Sequence, residues 1–533
     1  MNREAQLAQL EKTAFDILVI GGGATGAGIA LDAVSRGLKV ACVEQDDFAS
    51  GTSSRSTKLI HGGVRYLERA VLDLDRGQYA LVKEALQERA ILLKLAPHLT
   101  RFLALLTPLY HRTEVPYYYA GLKMYDWLAG DQEVPASRYV SAQEAVHQCP
   151  MLKSEGLRGG VVYYDGQFDD ARMALSILLR ATELGATAVN HLSVTALRKK
   201  AGKVIGVTVE DRFTHVTYQV DAKAVINATG PMADAIRHMD DPKAPHLLKA
   251  SSGTHIILDK RFSAKEMGLL IPKTEDDRVL FLLPWLGHTL VGTTDNPAPV
   301  EANPRASEED VDYILRQISS YIETKVTRKD ILAKWCGLRP LIQAQPGTST
   351  AKISREHAVE TSKSGLVTIA GGKWTTYRRM AIDAVDEAVA SASLKPKSPS
   401  QTETIFLAGG ANYALGFADE LHEKYGWNMA TCKYLNRAYG DRSALVAEIA
   451  VDGFGASLVE GSPYLEAEVV YGARYESART SYDVLARRLR LSFLDHKGAI
   501  AALPRVSELL AKELGWDADR RAADKKNALS LLG

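Results

Sequence analysis

The sequence predicts an α/β fold: a Rossmann-like dinucleotide-binding domain, a substrate cap built on antiparallel sheet, and a C-terminal helical domain. Three observations carry that expectation. Residues 16–44, DILVIGGGATGAGIALDAVSRGLKVACVE, read as strand, glycine turn, helix and second strand. A second strand–glycine–helix junction stands late in the chain, at residues 366–377. Between the two, short apolar strands alternate with helical patterns, and beyond a Pro/Ser/Lys linker at residues 393–400 the chain is helical and poor in strands.

The first stretch explains itself residue by residue. Residues 16–20 form an apolar run short enough for a buried parallel strand. Gly21, Gly23 and Gly26 then make G-x-G-x-x-G, in which the first glycine permits the tight turn and the second admits the backbone to a pyrophosphate. The third lets helix and strand pack closely, and the helix N-terminus faces the phosphate charge. Glu44 closes the strand at residues 39–43, where a carboxylate can accept from a ribose diol; an acid rather than an arginine there disfavours a 2′-phosphate.

Residues 45–68, QDDFASGTSSRSTKLIHGGVRYLE, are rich in Ser, Thr and Gly with Lys58, His61, Arg65 and Tyr66 interleaved. Their place after the ribose-binding strand puts them beside the rest of a dinucleotide, with small hydroxyls for diphosphate and His61-Gly62-Gly63 for close backbone approach to a ring. A helix is expected over 73–95, ended by Pro97. Residues 102–130 are Pro-, Tyr- and Leu-rich and read as an aromatic core cluster, with an amphipathic lipid-facing surface as the second reading. Strands follow at 161–164, 188–197, 204–210, 217–219 and 225–230, with a helix over 169–185. Residues 255–258 and 279–293 read as antiparallel sheet, residues 308–321 as a helix, and 366–370 as a buried strand leading into GGKWTTY and a helix to about 390. The expected domains are a discontinuous cofactor domain (1–75, 155–240 and 345–395), a substrate or cap domain (76–154 and 241–344) and the helical domain (401–533).

Bulk composition narrows the class. The chain has 533 residues, 46% hydrophobic and 24% charged, with 65 basic and 64 acidic residues for a net charge of +1. That balance offers no bulk electrostatic reason to expect nucleic acid. Cys42, Cys149, Cys336 and Cys432 are scattered without a C-x-x-C pair, which argues against zinc and disulfides and for a reducing compartment. No metal site is expected, and no segment near the start has the length or composition of a membrane span, signal or transit peptide.

An early dinucleotide junction closed by a late one suits a bound flavin better than an exchangeable nicotinamide, because a helix N-terminus at the ring can stabilise the anionic reduced form. Arg65, Arg339, Arg355 and Lys373, arriving from separate segments, suit a substrate carrying phosphate or carboxylate.

IGGGATGAGIALDAVSRGL, SGTSSRSTKLIHGGVRYLE, VYYDGQFDDAR, VINATGP, LPW…GTTD, GLRPL and IAGGKWTTYR occur in this order, and the chain so marked resembles the FAD-dependent glycerol-3-phosphate dehydrogenases over nearly its whole length. RSTKLIHGGVRYLERA, PYYYAGLKMYDWLAG and ESARTSYDVLARRLRLSFL are similar to the mitochondrial-type enzymes in particular, without their EF-hand module, so calcium regulation is not carried over. The oxygen-using glycerophosphate oxidases carry a central insertion with no obvious counterpart here, which favours a dehydrogenase.

The resemblance implies FAD held by Gly21, Gly23, Gly26, Glu44, Thr52, Ser53, Ser54, Lys58, His61 and Gly63, with Val194, Gly230, Gly372 and Thr375 closing around it. It implies substrate phosphate at Arg339 and Arg355, with Arg65, Tyr66, His255 and Lys373 lining the pocket near the flavin. The expected reaction takes sn-glycerol 3-phosphate to dihydroxyacetone phosphate, with His255 as first candidate base, His61 as second, and Lys373 and Arg339 stabilising the developing alkoxide. A membrane quinone is the expected electron acceptor in a respiratory chain, giving a cytoplasmic protein peripherally attached to the inner membrane; a homodimer is left open. The rival readings are an oxygen-using oxidase, a flavoprotein whose FAD is structural or sensory, and an NAD-dependent dehydrogenase.

Overall fold

The computed structural model describes residues 3–63, 76–111, 114–129, 134–276, 278–343 and 357–533. Two sheets organise it. In the first, the strand Phe15–Ile20 lies between Val40–Val43 and Thr217–Asn227, parallel to both. Leu366–Gly371 extends the sheet beyond Thr217–Asn227, and Thr187–Val189 extends it beyond Val40–Val43, again parallel. His357–Thr361 adds an antiparallel edge, and the hairpin Leu192–Lys200/Lys203–Asp211 joins through Thr217–Asn227. From Ile17 to Ile20 the central strand is buried on both faces, which is why that stretch is continuously apolar rather than alternating.

Helices Ala24–Ser35, Asp170–Glu183 and Tyr377–Ser391 cover one face of this sheet, sharing a core that includes Ala27, Ile177 and Ala384. The other face packs under the N-terminal helix Arg3–Lys12 and the hairpin, around Leu10, Phe15 and Val207. The helix after the glycine turn lies close because Gly26 allows it: a Cβ there would overlap the carbonyl oxygen of Gly21. Gly21 itself sits at φ +107°, a backbone region that disfavours other residues.

Among the described residues the second sheet has ten strands. Its centre is the antiparallel set Ile331–Ile342, Leu248–Asp259, His288–Gly292 and Leu280–Trp285. Met267–Ile271 then pairs in parallel with Thr100–Leu109, so the expected antiparallel sheet is mixed. The strand Gly159–Phe168 pairs antiparallel with Thr100–Leu109 along its whole length, and Leu59–Ile60 joins its far edge. Both of these strands fall within segments expected in the cofactor domain, yet they hydrogen-bond into the cap sheet. The helix Glu308–Ser319 buries Val311, Ile314 and Ile318 against one face.

Residues 102–130 differ from their reading as one aromatic cluster. They divide into the strand Thr100–Leu109 and the helix Glu114–Ala129. The strand is largely buried, so it lacks the alternation that would announce it. Tyr125 from the helix is core: its hydroxyl donates to Asp165 at 2.9 Å and accepts from the Gly62 N–H at 2.8 Å.

Residues beyond 400 form helices, including Met429–Tyr439, Glu466–Tyr475, His496–Leu514 and Ala518–Leu532, around two apolar cores. Val484, Leu485, Leu489 and Leu491 lie in one of these cores. All four cysteines are free and buried. Among the described residues no helix is long and apolar enough to cross a membrane.

Candidate functional site

A cavity of about 310 Å³ opens where the glycine turn, the segment after Glu44 and the late junction meet. Gly21, Gly23, Glu44, Thr52, Ser53, Val194, Gly230, Gly372 and Lys373 all line it. The parallel order of the first sheet explains this convergence. Strands ending at Ile20, Val43, Asn227 and Gly371 run side by side in one direction, so their C-terminal ends share one edge, where ligands of such sheets bind.

Glu44 stands at one end. Its Oε2 accepts from the Gly22 N–H at 2.7 Å and its Oε1 from the Asp46 N–H at 2.9 Å. Burial pushes its carboxyl up to about 7, against the downward pull of those two N–H groups. The carboxylate is thus fixed in place, with further lone pairs for a ribose diol. Ser53 marks the next position. Its Oγ accepts from the Ala24 N–H at 2.8 Å, at the N-terminus of the helix Ala24–Ser35, where a diphosphate would meet the helix dipole.

The segment after Glu44 is tied to both late pieces of chain. Thr52 Oγ1 donates to the Leu338 carbonyl at 2.6 Å, and Trp374 Nε1 donates to the Ser53 carbonyl at 2.9 Å. Thr375 Oγ1 donates to the His61 carbonyl at 3.3 Å, which places Thr375 and His61 together beside the cavity wall. Gly371 and Gly372 have φ of +79° and +75°, turning the strand sharply into the turn Trp374–Thr376 and the helix Tyr377–Ser391.

Other expected site residues sit elsewhere. Lys58 is fully buried, and its Nζ donates to Asp170 Oδ2 at 2.6 Å and the Ser54 carbonyl at 2.8 Å. The rings of Trp285, Trp335 and Phe493 surround it at 5.2, 5.3 and 5.7 Å. Burial brings the ammonium down to about 7, opposed by Asp170. Its place is an ion pair behind the cofactor segment rather than a contact in the cavity wall. Ser54 is buried beside it, and Gly26 acts through helix packing. Gly63, at φ +86°, follows the buried edge of the second sheet.

His255 lies on the cap strand Leu248–Asp259, stacked on Trp335 with ring centroids 5.3 Å apart, and its Nε2 is 3.0 Å from Thr57 Oγ1. Burial first, then Lys58 and Arg339, hold its imidazole well below the ordinary range, so the neutral form is strongly favoured. Arg339 extends from the neighbouring strand. Its Nη1 reaches Asp295 at 3.1 Å and the Ser252 carbonyl at 3.2 Å, and its Nη2 reaches Thr293 Oγ1 at 3.1 Å and the Thr294 carbonyl at 3.0 Å. The guanidinium is therefore already forked, with Asp295 holding one side. Arg65, Tyr66 and Arg355 lie outside the described residues.

Two residues of the site region escaped the sequence. Arg55 is buried, donating to Asn303 Oδ1 at 2.6 Å and the Cys336 carbonyl at 3.1 Å, so it clamps the cofactor segment to the strand that carries Arg339. Asp170 is the hub beneath Lys58. The Asp169-Asp170 pair at the helix start was the available signal, because only one acid is needed as cap: Asp169 Oδ1 accepts from the Arg172 N–H at 3.2 Å, which frees Asp170 to face inward.

Comparison with known proteins adds to this geometry. Residues 16–378 match the family model described as FAD dependent oxidoreductase, and residues 400–521 match the C-terminal domain of alpha-glycerophosphate oxidase. The mitochondrial glycerol-3-phosphate dehydrogenase of Homo sapiens is 47% identical across 100% of this chain and 75% of its own. The Arabidopsis thaliana mitochondrial enzyme SDP6, also a glycerol-3-phosphate dehydrogenase, is 45% identical across 99% of this chain and 87% of its own. Among solved structures, glycerol-3-phosphate dehydrogenase from Bacillus halodurans complexed with FAD aligns with a TM-score of 0.80 at 32% identity, covering 99% of this chain and 97% of that one. L-alpha-glycerophosphate oxidase from Mycoplasma pneumoniae with FAD bound aligns at 0.55 and 16% identity over 73% of this chain and 98% of that one, a likeness of fold alone.

Proposed function

Because the chain belongs to the FAD-dependent glycerol-3-phosphate dehydrogenases, we propose that it oxidises sn-glycerol 3-phosphate to dihydroxyacetone phosphate and hands the electrons to a membrane quinone. The observation that supports this reading is the single cavity that Glu44 and Lys373 both line, with the two glycine junctions between them. The residues present fit FAD: a fixed carboxylate for ribose, a helix N-terminus in the cavity wall for diphosphate, and a second junction for the ring. When bound, FAD supplies the hydride acceptor.

The chain's own residues would do the rest. Lys373, in the cavity wall, is suited to hold negative charge developing on the substrate oxygen. Arg339 would take the substrate phosphate by sharing its fork with Asp295, and Arg65, Tyr66 and Arg355 would complete that recognition. His255, neutral and buried, would accept the C2 hydroxyl proton, with His61 as the alternative. Thr57 Oγ1, 3.0 Å from His255 Nε2, would pass that proton onward.

Relatives at 45% and 47% identity over essentially the whole chain are named dehydrogenases. That favours a quinone over oxygen, and with it a peripheral contact at the cytoplasmic face of the inner membrane. Anaerobic addition of sn-glycerol 3-phosphate should bleach the flavin absorption, and a quinone should restore it without peroxide. An unbleached flavin would overturn the substrate assignment; stoichiometric peroxide in air with no response to quinone would overturn the acceptor.

A further inference from the structure

Residues 401–533 contain nothing that the proposed chemistry uses, yet one segment of them reaches beneath the cofactor cavity. Arg490 is 1% exposed and holds a left-handed backbone, with φ +63°. Its Nη2 donates to the Ser54 carbonyl at 2.7 Å and to Asp170 Oδ1 at 3.1 Å. Its guanidinium lies 4.3 Å from the Phe493 ring. The Ser54 carbonyl is therefore gripped twice, by Arg490 and by Lys58. Asp170 grips the same segment again, accepting from the Ser56 N–H at 3.0 Å and the Ser56 hydroxyl at 2.7 Å. Just upstream, Arg487 and Arg488 both pair with Asp47, in the stretch that leaves Glu44.

We propose that residues 484–490 brace the cofactor segment from behind, and that Arg490 is a positioning residue for FAD. The argument is one of adjacency and charge. Ser54 follows Ser53, whose hydroxyl meets the helix N-terminus at Ala24 and whose carbonyl receives Trp374. Fixing the Ser54 carbonyl from behind restrains the backbone between Ser53 and Arg55, both of which line the cavity. A left-handed non-glycine residue is a strained conformation that the surrounding contacts must hold in place. Those contacts here include the cofactor segment and Asp170, beside Asp169, the Ala486 carbonyl and the Phe493 ring. The C-terminal unit is thus built to complete the cofactor cradle from the side opposite the ligand. The inference rests on FAD as cofactor and not on the identity of the substrate.

The test follows FAD release from the full-length holoenzyme on dilution, read by the rise of flavin fluorescence, with thermal unfolding of each variant measured in parallel. Arg490→Met should release FAD about tenfold faster, the size set by one charge-assisted hydrogen bond, and Arg490→Lys should fall between it and the parent. Arg505→Met removes the pairs to Glu466 and Glu508 within the same unit, at a side chain 43% exposed, and should release FAD at the parental rate. Release from Arg490→Met within about twofold of the parent overturns the proposal, as does equal loss in Arg505→Met. If Arg490→Met does not fold, Arg490→Lys takes its place, with release expected about threefold faster than the parent; parental release would overturn the proposal equally.

Discussion

Replacing Glu44 by Gln changes one oxygen to an NH₂ group and removes a charge. In the structure both carboxylate oxygens are already engaged, Oε2 by the Gly22 N–H at 2.7 Å and Oε1 by the Asp46 N–H at 2.9 Å. A glutamine can accept from only one of these N–H groups and turns its own donor toward the other. That cost falls on the protein with and without ligand. The difference on binding comes from the ribose diol, which loses one of two charge-assisted acceptors, roughly 1.5–3 kcal/mol. Converted at 1.4 kcal/mol per decade, FAD affinity should weaken by about one to two orders of magnitude. The pH dependence supplies an independent check. Glu44 sits near 7 against an ordinary value of 4.5, so between those limits the folded, ligand-free protein carries a proton that the unfolded chain does not. The raised value therefore favours the folded state as pH falls from 7 towards 4.5. Ribose hydroxyls favour the ionised form, so FAD binding expels that proton. Affinity should then rise with pH up to about 7 and level off above it. Titrating apoprotein with FAD by fluorescence quenching from acid to mildly basic pH measures both effects. A Gln variant within about threefold of the parent, together with a parental affinity flat across neutrality, would refute the assignment of Glu44 to the ribose.

Three further outcomes can be checked directly. Asp170→Asn leaves Lys58 and Arg490 buried without their shared counter-charge, and should cost about 3–5 kcal/mol in denaturant titrations of the holoenzyme; a loss below about 1 kcal/mol would show that the hub is dispensable. Gly26→Ala places a methyl against the Gly21 carbonyl and should yield protein depleted of yellow flavin absorption while retaining helical circular dichroism. Arg339→Ala should retain FAD but weaken substrate binding and slow anaerobic flavin reduction; unchanged single-turnover reduction would remove Arg339 from the substrate site.

Legibility in the sequence followed the range of the interactions. The glycine turn, Glu44 and the GGKWTTY junction are written locally, because tight turns and close helix–strand packing demand particular residues at fixed spacing. Lys58 was not legible in the same way. It stands among serines and threonines like a residue meant for phosphate, and only the fold reveals Asp170 beneath it and three aromatic rings around it. Residues 100–109 hid for a related reason: a strand covered on both faces has no polar alternation, so its neighbouring tyrosines dominated the reading. Nothing near Arg488 and Arg490 in sequence announces Asp47 or Asp170, more than three hundred residues away.

The order of strands in the first sheet has a consequence for synthesis. Phe15–Ile20 emerges from the ribosome early, but its neighbour Thr217–Asn227 follows much later, and Leu366–Gly371 later still. At ordinary translation rates the last of these lags by on the order of a minute or less. Phe15–Ile20 keeps one edge unpaired until Thr217–Asn227 emerges, and from then until Leu366–Gly371 arrives the unpaired edge is that of Thr217–Asn227. The cavity therefore has both of its walls only once residues 366–374 have emerged and joined the sheet.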